Sequence, residues 1–356
     1  MENMKTQEDH IVHAEVLKGF CTEAFTSVGV PDDSAAIIAG SLVEADLRGV
    51  ETHGVNRLAG YVRMLREGKM NPRPNMKVVK EGPAMVLLDG DNASGIVAGV
   101  KAMEIVIEKT RKVTVAVAGV RNSTHCGALA YFTEMAITHG MVGCMTVMAP
   151  STVPPYGGKT PVLSTSPWSF AIPAGEEHPI VLDMASTVAA GGKIVLAAKK
   201  GERIPRDWAL DKDGLPTDDP VKAQGGFFQW IGGPKGYGLG VVAEVLSGVL
   251  PGGPFGLTMP PVVFPYGSSV FMQGHFQAAL NISHFMPVSE FTGRVDQLIR
   301  ELKSSERIEG VEEIFLPGEM EWKKKAQRLK SGIPLSSVVR NDLKDLRSQL
   351  RLRHDI

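Results

Sequence analysis

Cysteine is scarce in this chain of 356 residues: Cys21, Cys126 and Cys144 stand far apart, with no CxxC spacing. An odd, scattered set leaves no basis for a disulfide framework or a zinc knuckle, and it points to a reducing compartment with no metal at the site. Charge of one sign is lacking too. Lys and Arg number 38 against 39 Asp and Glu, so no global field draws the chain to nucleic acid or an anionic membrane. No apolar run reaches about 18 residues, so no membrane-spanning helix is expected. The opening stretch MENMKTQEDH is polar and acidic, which suits neither a signal peptide nor an Arg-rich transit sequence. The expectation is a cytoplasmic protein without nucleic-acid or membrane partners. Missing as well is a GxGxxG that closes a strand and opens a helix, with an acid about 20 residues on, so the Rossmann fingerprint is absent. Walker A, HExxH, GxSxG and kinase signatures are not found either.

What the sequence does hold is 43% hydrophobic residues, together with 39 Gly and 23 Pro that cluster between residues 150 and 275. That density implies a β-rich body with tight turns. The two ends read differently. Residues 8–29 carry Ile11, Val16, Leu17, Phe20, Ala24, Phe25 and Val28 at helical spacing, and helices follow at 33–48 and about 56–67. Short β-branched or apolar runs come next, at 85–88, 113–120, 142–149, 168–172 and 180–184, with a helix at about 96–110. Residues 186–200 and 236–250 read as helices and 270–282 as a strand. Beyond Pro287 the chain is helical again, through 319–331 and 336–351. Helices, then a mixed body, then helices is not a regular βαβ alternation. The pattern predicts an α+β fold with a helical layer formed from both termini. Residues 1–75 with 287–356 make the helical domain, and 76–286 make a β-rich body.

Polar motifs sit at the junctions. His53 lies four residues before Arg57, so the two can share one side of a resumed helix. A histidine exchanges a proton near neutrality, and an arginine holds a carboxylate through two parallel hydrogen bonds. A helix-capping histidine beside a solvated arginine has the same spacing. Gly232-Gly233-Pro234-Lys235 precedes an apolar helix. It makes either an anion site for a pyrophosphate or a tightly packed turn. His125 follows an apolar strand, and Asp183 closes another, where an acid serves as an N-cap or orients a histidine.

Several segments in order resemble the malate/L-lactate dehydrogenase type 2 family, which includes L-sulfolactate and ureidoglycolate dehydrogenases, a diketogulonate reductase and reductases of cyclic imino acids. They are LRGVETHGVNRL (47–58), RNSTHCGALAY (121–131), PPYGG (154–158), STSPWSFAIP (164–173), VLDMAST (181–187), GGPKGYGL (232–239), Gln273-Gly274-His275-Phe276 and FLPGE (315–319). The resemblance runs over about residues 10–350. It implies an NAD- or NADP-dependent oxidoreductase with a non-Rossmann fold and a homodimeric assembly. The family's proton-donating histidine maps to His53, its preceding hydroxyl to Thr52 and its orienting aspartate to Asp183. The second active-site histidine maps to His125 and the carboxylate-binding arginine to Arg57. Cofactor contacts map to His125, to Leu182, Asp183, Met184 and Ala185, to Pro234 and Lys235, and to Pro317, Gly318 and Glu319. Arg48 stands either at the substrate or in a structural ion pair, and His275 reads as support for its strand. Thr52 stands where serine is commoner and keeps the hydroxyl. Ser164-Thr165-Ser166-Pro167 departs from the usual GTNP and lacks its amide.

The resemblance thus implies reversible hydride transfer between a nicotinamide and C2 of a carboxylate substrate, with His53 giving or taking the proton. A 2-oxo acid and a cyclic imine share the same clamp, so both stand as substrates. A catalytically silent nicotinamide-binding protein is the rival of another class, and the intact Thr52, His53, Arg57 and Asp183 set argues against it.

Overall fold

The computed structural model describes residues 10–189, 191–259 and 272–356. A short strand, β1 (His10–Val12), leads into α1 (Ala14–Ser27), and Pro31 precedes α2 (Asp32–Leu47). Asp32 and Asp33 in the first turn of α2 suit the positive end of its dipole. Two 3-10 turns, Glu51–His53 and Val55–Arg57, run into α3 (Leu58–Arg66). There follow β2 (Lys77–Gly82), β3 (Met85–Ala93), α4 (Gly95–Thr110), β4 (Val115–Ser123), α5 (Ala130–Ile137), β5 (Met141–Val147), β6 (Trp168–Ile172) and β7 (Ile180–Met184). Next come α6 (Gly191–Lys200), β8 (Ala209–Leu210), β9 (Pro216–Thr217), α7 (Pro220–Gln224), β10 (Phe227–Phe228) and α8 (Pro234–Glu244), which continues as a π turn over Val245–Val249. The chain ends with β11 (Gln273–Asn281), α9 (Val288–Ser304), α10 (Glu319–Ser331), β12 (Ile333–Leu335) and α11 (Ser337–Leu350).

The main sheet has seven strands in the order β2-β3-β4-β11-β5-β6-β7. Only β3 and β4 run parallel; the other neighbours are antiparallel. A doubly wound sheet is mostly parallel, whereas this one is mostly antiparallel. The fold is therefore mixed α/β around a mixed sheet, and among the described residues no barrel closes. Helix α4 packs on β3, β4 and β11, and α5 on β5 and β6. Phe132 of α5 lies so close to Gly99 of α4 that a Cβ there would strike its ring.

Two compact units make up the chain, Met1–Arg73 with Gly318–Ile356, and Pro74–Pro317. The expected boundary placed 287–317 with the termini, whereas α9 belongs to the larger unit. The reason is local: Asp296 accepts backbone N–H groups from Gly175, Glu176 and Glu177 at 2.9, 2.8 and 3.2 Å. Arg300, one turn on, pairs with Glu176 at 2.6 Å and Glu177 at 2.9 Å. In the smaller unit Leu17, Phe20, Phe25, Ile38, Leu42 and Leu58 form a core without measurable exposure beyond 1%. His10–Val12, read from sequence as the start of a helix, instead pairs antiparallel with Ile333–Leu335.

Candidate active site

Helix α2 stops at Gly49, whose φ of 75° leaves the helical region, and the next eight residues make the two 3-10 turns. Within them Thr52 Oγ1 lies 3.0 Å from His53 Nδ1, and Arg57 Nε donates to the carbonyl of Thr52 at 2.6 Å. Thr52, His53 and Arg57 are thus brought together by local chain geometry. Burial, with the positive charge of Arg57 adding to it, pushes His53 down to about 4. The imidazole is neutral at pH 7, so it can take a proton. Burial also lowers Arg57 from its ordinary value, though an arginine remains charged in water.

Sequence reasoning missed what holds this turn. Asp46, 2% exposed in the last turn of α2, accepts the Val55 N–H at 2.8 Å through Oδ2. Gly54 is required because any Cβ there would run into the Asp46 carboxylate. From α10, Arg328 donates to the Asp46 carbonyl and pairs with Glu51 at 2.6 Å. One signal was in the sequence: an acid in the last turn of a helix opposes the helix dipole, so it needs another reason to be there. Arg48 stays in this framework. It pairs with Glu44 at 2.7 Å and stacks over Trp322 at 4.2 Å, the structural ion pair weighed for it. Although burial pushes Glu44 up, hydrogen bonds from Arg48 and Lys325 hold its carboxyl below the ordinary value.

The larger unit gathers the other candidates near the end of β7. Asp183, exposed, accepts the Ala130 N–H at 2.8 Å and so caps the start of α5, just beyond His125 and Cys126. His125 Nδ1 accepts the Gly127 N–H at 3.2 Å. Burial, and then the Asp183 charge, push the Cys126 thiol up to about 12, which makes it a packing residue and not a nucleophile. Beyond half-buried Leu182, Met184 and Ala185, Ser186 accepts the Ile231 N–H at 2.9 Å. That contact sets the start of α8, with Pro234 and Lys235 exposed, beside the strand end. Pro317 joins the same strand, its carbonyl taking the Val181 N–H at 3.0 Å. Gly318 and Glu319 instead open α10 in the smaller unit, and Glu319 pairs with Lys323 at 3.1 Å.

Gly233, at φ 62° and against the Tyr156 ring, together with Gly240 against Trp230, gives the glycine-rich segment a packing role as well. Ser166 adopts φ 45°, a left-handed conformation that asparagine tolerates better, so the missing amide leaves a strained serine. His275 is fully buried and pushed down to about 3 by burial. It supports the core of β11.

The malate/L-lactate dehydrogenase family model matches residues 12–344. The chain belongs to that family. It is accordingly an oxidoreductase of the 2-hydroxy acid dehydrogenase class. A malate dehydrogenase of Pyrococcus abyssi is 38% identical over 93% of this chain and 92% of its own length. An L-sulfolactate dehydrogenase of Methanocaldococcus jannaschii is 38% identical over 98% of this chain and 97% of its own. The solved structure of the sulfolactate dehydrogenase from that organism superposes with a TM-score of 0.90 over 96% of this chain and 98% of that one. A ureidoglycolate dehydrogenase (NAD(+)) of Escherichia coli O157:H7 is 32% identical over 91% and 92% of the two chains. Among the described residues, no helix is long and apolar enough to cross a membrane, and no group of three acids, histidines or cysteines is placed to hold a metal.

Proposed function

We propose that this family member interconverts a malate- or lactate-like 2-hydroxy acid with its 2-oxo acid, using NAD or NADP and His53 as the proton donor and acceptor. The observation that carries the reading is the Thr52–His53–Arg57 turn, where a half-buried neutral imidazole sits beside a guanidinium. In the oxidative direction, the unprotonated ring nitrogen of His53 accepts the hydroxyl proton. Arg57, fixed to the Thr52 carbonyl through Nε, is the guanidinium that would hold the substrate carboxylate. A substrate carboxylate held there offsets the guanidinium charge beside His53. That raises the imidazole toward protonation, as the reductive direction requires.

The residues at the end of β7 suit a dinucleotide. Exposed Lys235 opens α8, an anion-favouring helix start, and half-buried apolar Leu182, Met184 and Ala185 lie beside it. They would hold the cofactor with Pro234, Pro317, Gly318, Glu319 and His125, in a site unlike the Rossmann crevice. A bound nicotinamide supplies or accepts the hydride at C2. Asp183 serves to orient the proton-carrying imidazole. A homodimer in the cytoplasm completes the reading.

The test is a spectrophotometric screen of 2-oxo acids and cyclic imines with NADH and NADPH separately. Oxidation with a 2-oxo acid supports the reading, turnover of cyclic imines alone moves the activity to imine reduction, and cofactor binding with no turnover makes the chain a silent binder.

A further inference from the structure

Resting on that reading of the site, we infer that Asp46 is a positioning residue for the reaction: it fixes the bend at Gly54 and Val55, and so sets His53 against Arg57. Three observations converge on it. Its Oδ2 takes the Val55 N–H at 2.8 Å, midway between the two functional side chains. Gly54 has φ −87° and ψ −154°, a conformation open to any residue, so its lack of a side chain answers to packing, and the atoms nearest an added Cβ are those of the Asp46 carboxylate. Arg328 clamps the chain that leads into the bend, at the Asp46 carbonyl and the Glu51 carboxylate. No other described side chain takes the Val55 N–H, so an apolar residue at 46 would orphan it in a buried place.

The same carboxylate makes the bend sensitive to pH. Burial, opposed by the Val55 N–H and raised further by the Glu51 charge, pushes Asp46 up to about 7, while Arg328 pulls it down. The groups facing it are Cys21 from α1, Glu51 from the first 3-10 turn and Arg328 from α10. A carboxylate accepts an N–H about twice as strongly as a neutral group does. Protonation below pH 7 therefore loosens the bend, and activity falls toward acid through a group other than His53, which stays neutral to about 4.

The decisive variants are Asp46→Asn, which keeps an acceptor oxygen without charge, and Asp46→Ala, which removes it. In Asp46→Ala, kcat should fall roughly 10-fold or more and KM for the 2-oxo acid should rise, with NADH affinity within about twofold. Asp46→Asn should lose the limb near pH 7. At every pH it should hold about the rate that the unaltered enzyme shows on the acid side. It should also melt higher above pH 7, because a costly buried charge is gone. Gly54→Ala should mimic Asp46→Ala, and the double variant should be little worse than either. Unaltered kcat and KM in folded Asp46→Ala, or a limb near pH 7 that persists in Asp46→Asn, would overturn the inference. Histidine NMR provides a readout independent of turnover. The His53 ring should change its titration and tautomer in Asp46→Ala far more than in Asp46→Asn. Equal spectra would sink the inference even if the screen finds no substrate, whereas a silent screen with altered spectra fails the activity alone.

Discussion

At the scale of single residues, the proposed chemistry rests on an imidazole whose proton is easily lost. His53→Asn should leave nicotinamide binding intact and slow turnover by roughly 10²–10⁴-fold, the usual worth of a positioned acid–base group. Asp183→Asn should slow it as well. Stopped-flow kinetics of the double variant then decides the role of Asp183: a loss close to that of His53→Asn alone means one relay. Additive losses would leave Asp183 as the cap of α5 that its bond to Ala130 already makes it. Arg57→Lys keeps the charge but loses the fork. A charged hydrogen bond is worth about 1.5–3 kcal/mol, so kcat/KM should drop roughly 10- to 100-fold, and unchanged kinetics would place the clamp elsewhere.

At the scale of elements, α9 shows how one buried acid holds a loop. Asp296→Ala would orphan the N–H groups of Gly175, Glu176 and Glu177 and should destabilise the larger unit by about 1–3 kcal/mol. Asp296→Asn should recover part of this. Equal denaturation midpoints for both variants and the unaltered chain would show that α9 is held by other contacts. Elements of this kind mark where sequence reading stops. The stripe of α1 and the β-branched run of β4 were legible because period and residue type agree over many positions. Strand β1 was not: His10–Val12 has no pattern of its own and becomes a strand only because Ile333–Leu335 lies beside it. Helix α5 was missed because its apolar sequence AYFTEMAI carries no capping residue, its start being capped by Asp183 from far along the chain. The site divides in the same way. Thr52, His53 and Arg57 are local, and the family resemblance singled them out where spacing alone left a capping histidine and a solvated arginine open, whereas Asp46 acts through a hydrogen bond that only the fold reveals.

For the molecule as a whole, exposed apolar surface and buried charge give two expectations. On α8 and its π extension, Leu239, Val242, Val245 and Val249 are 45%, 48%, 48% and 45% exposed and recur at helical spacing. Such a stripe fits an interface. Sedimentation equilibrium should give about twice the 38.2 kDa chain mass, and Val245→Glu should shift it toward one chain. A fully active monomer in the unaltered protein would refute the dimer. Stability should also fall toward acid. His53 and His275 stand at about 4 and about 3 when folded, against an ordinary 6.5. Below 6.5 the unfolded chain takes up protons that the folded chain refuses, so their contribution is full above 6.5 and is lost as pH falls toward 3. Asp46 opposes them, since it is raised from 3.8 to about 7 and gains stability over that descent. Two groups outweigh one. Urea midpoints should therefore be lower at about pH 5 than at about pH 7.5, and the reverse order would contradict these shifts.

The smaller unit is closed by the last part of the chain: β12 pairs with β1, Arg328 braces the bend after His53, and Glu23 receives the N–H groups of Arg353 and His354 at 2.9 and 3.0 Å. A ribosome delivers these partners in the wrong order. The turn bearing His53 emerges early and waits, at roughly 5–20 residues per second, for tens of seconds before its brace exists. During that interval the larger unit can fold, while the turn bearing His53 has no Arg328 to hold it. The bend after His53 is therefore braced only after the sheet has formed, and a ribosome stalled before Arg328 carries a folded sheet and an unbraced turn.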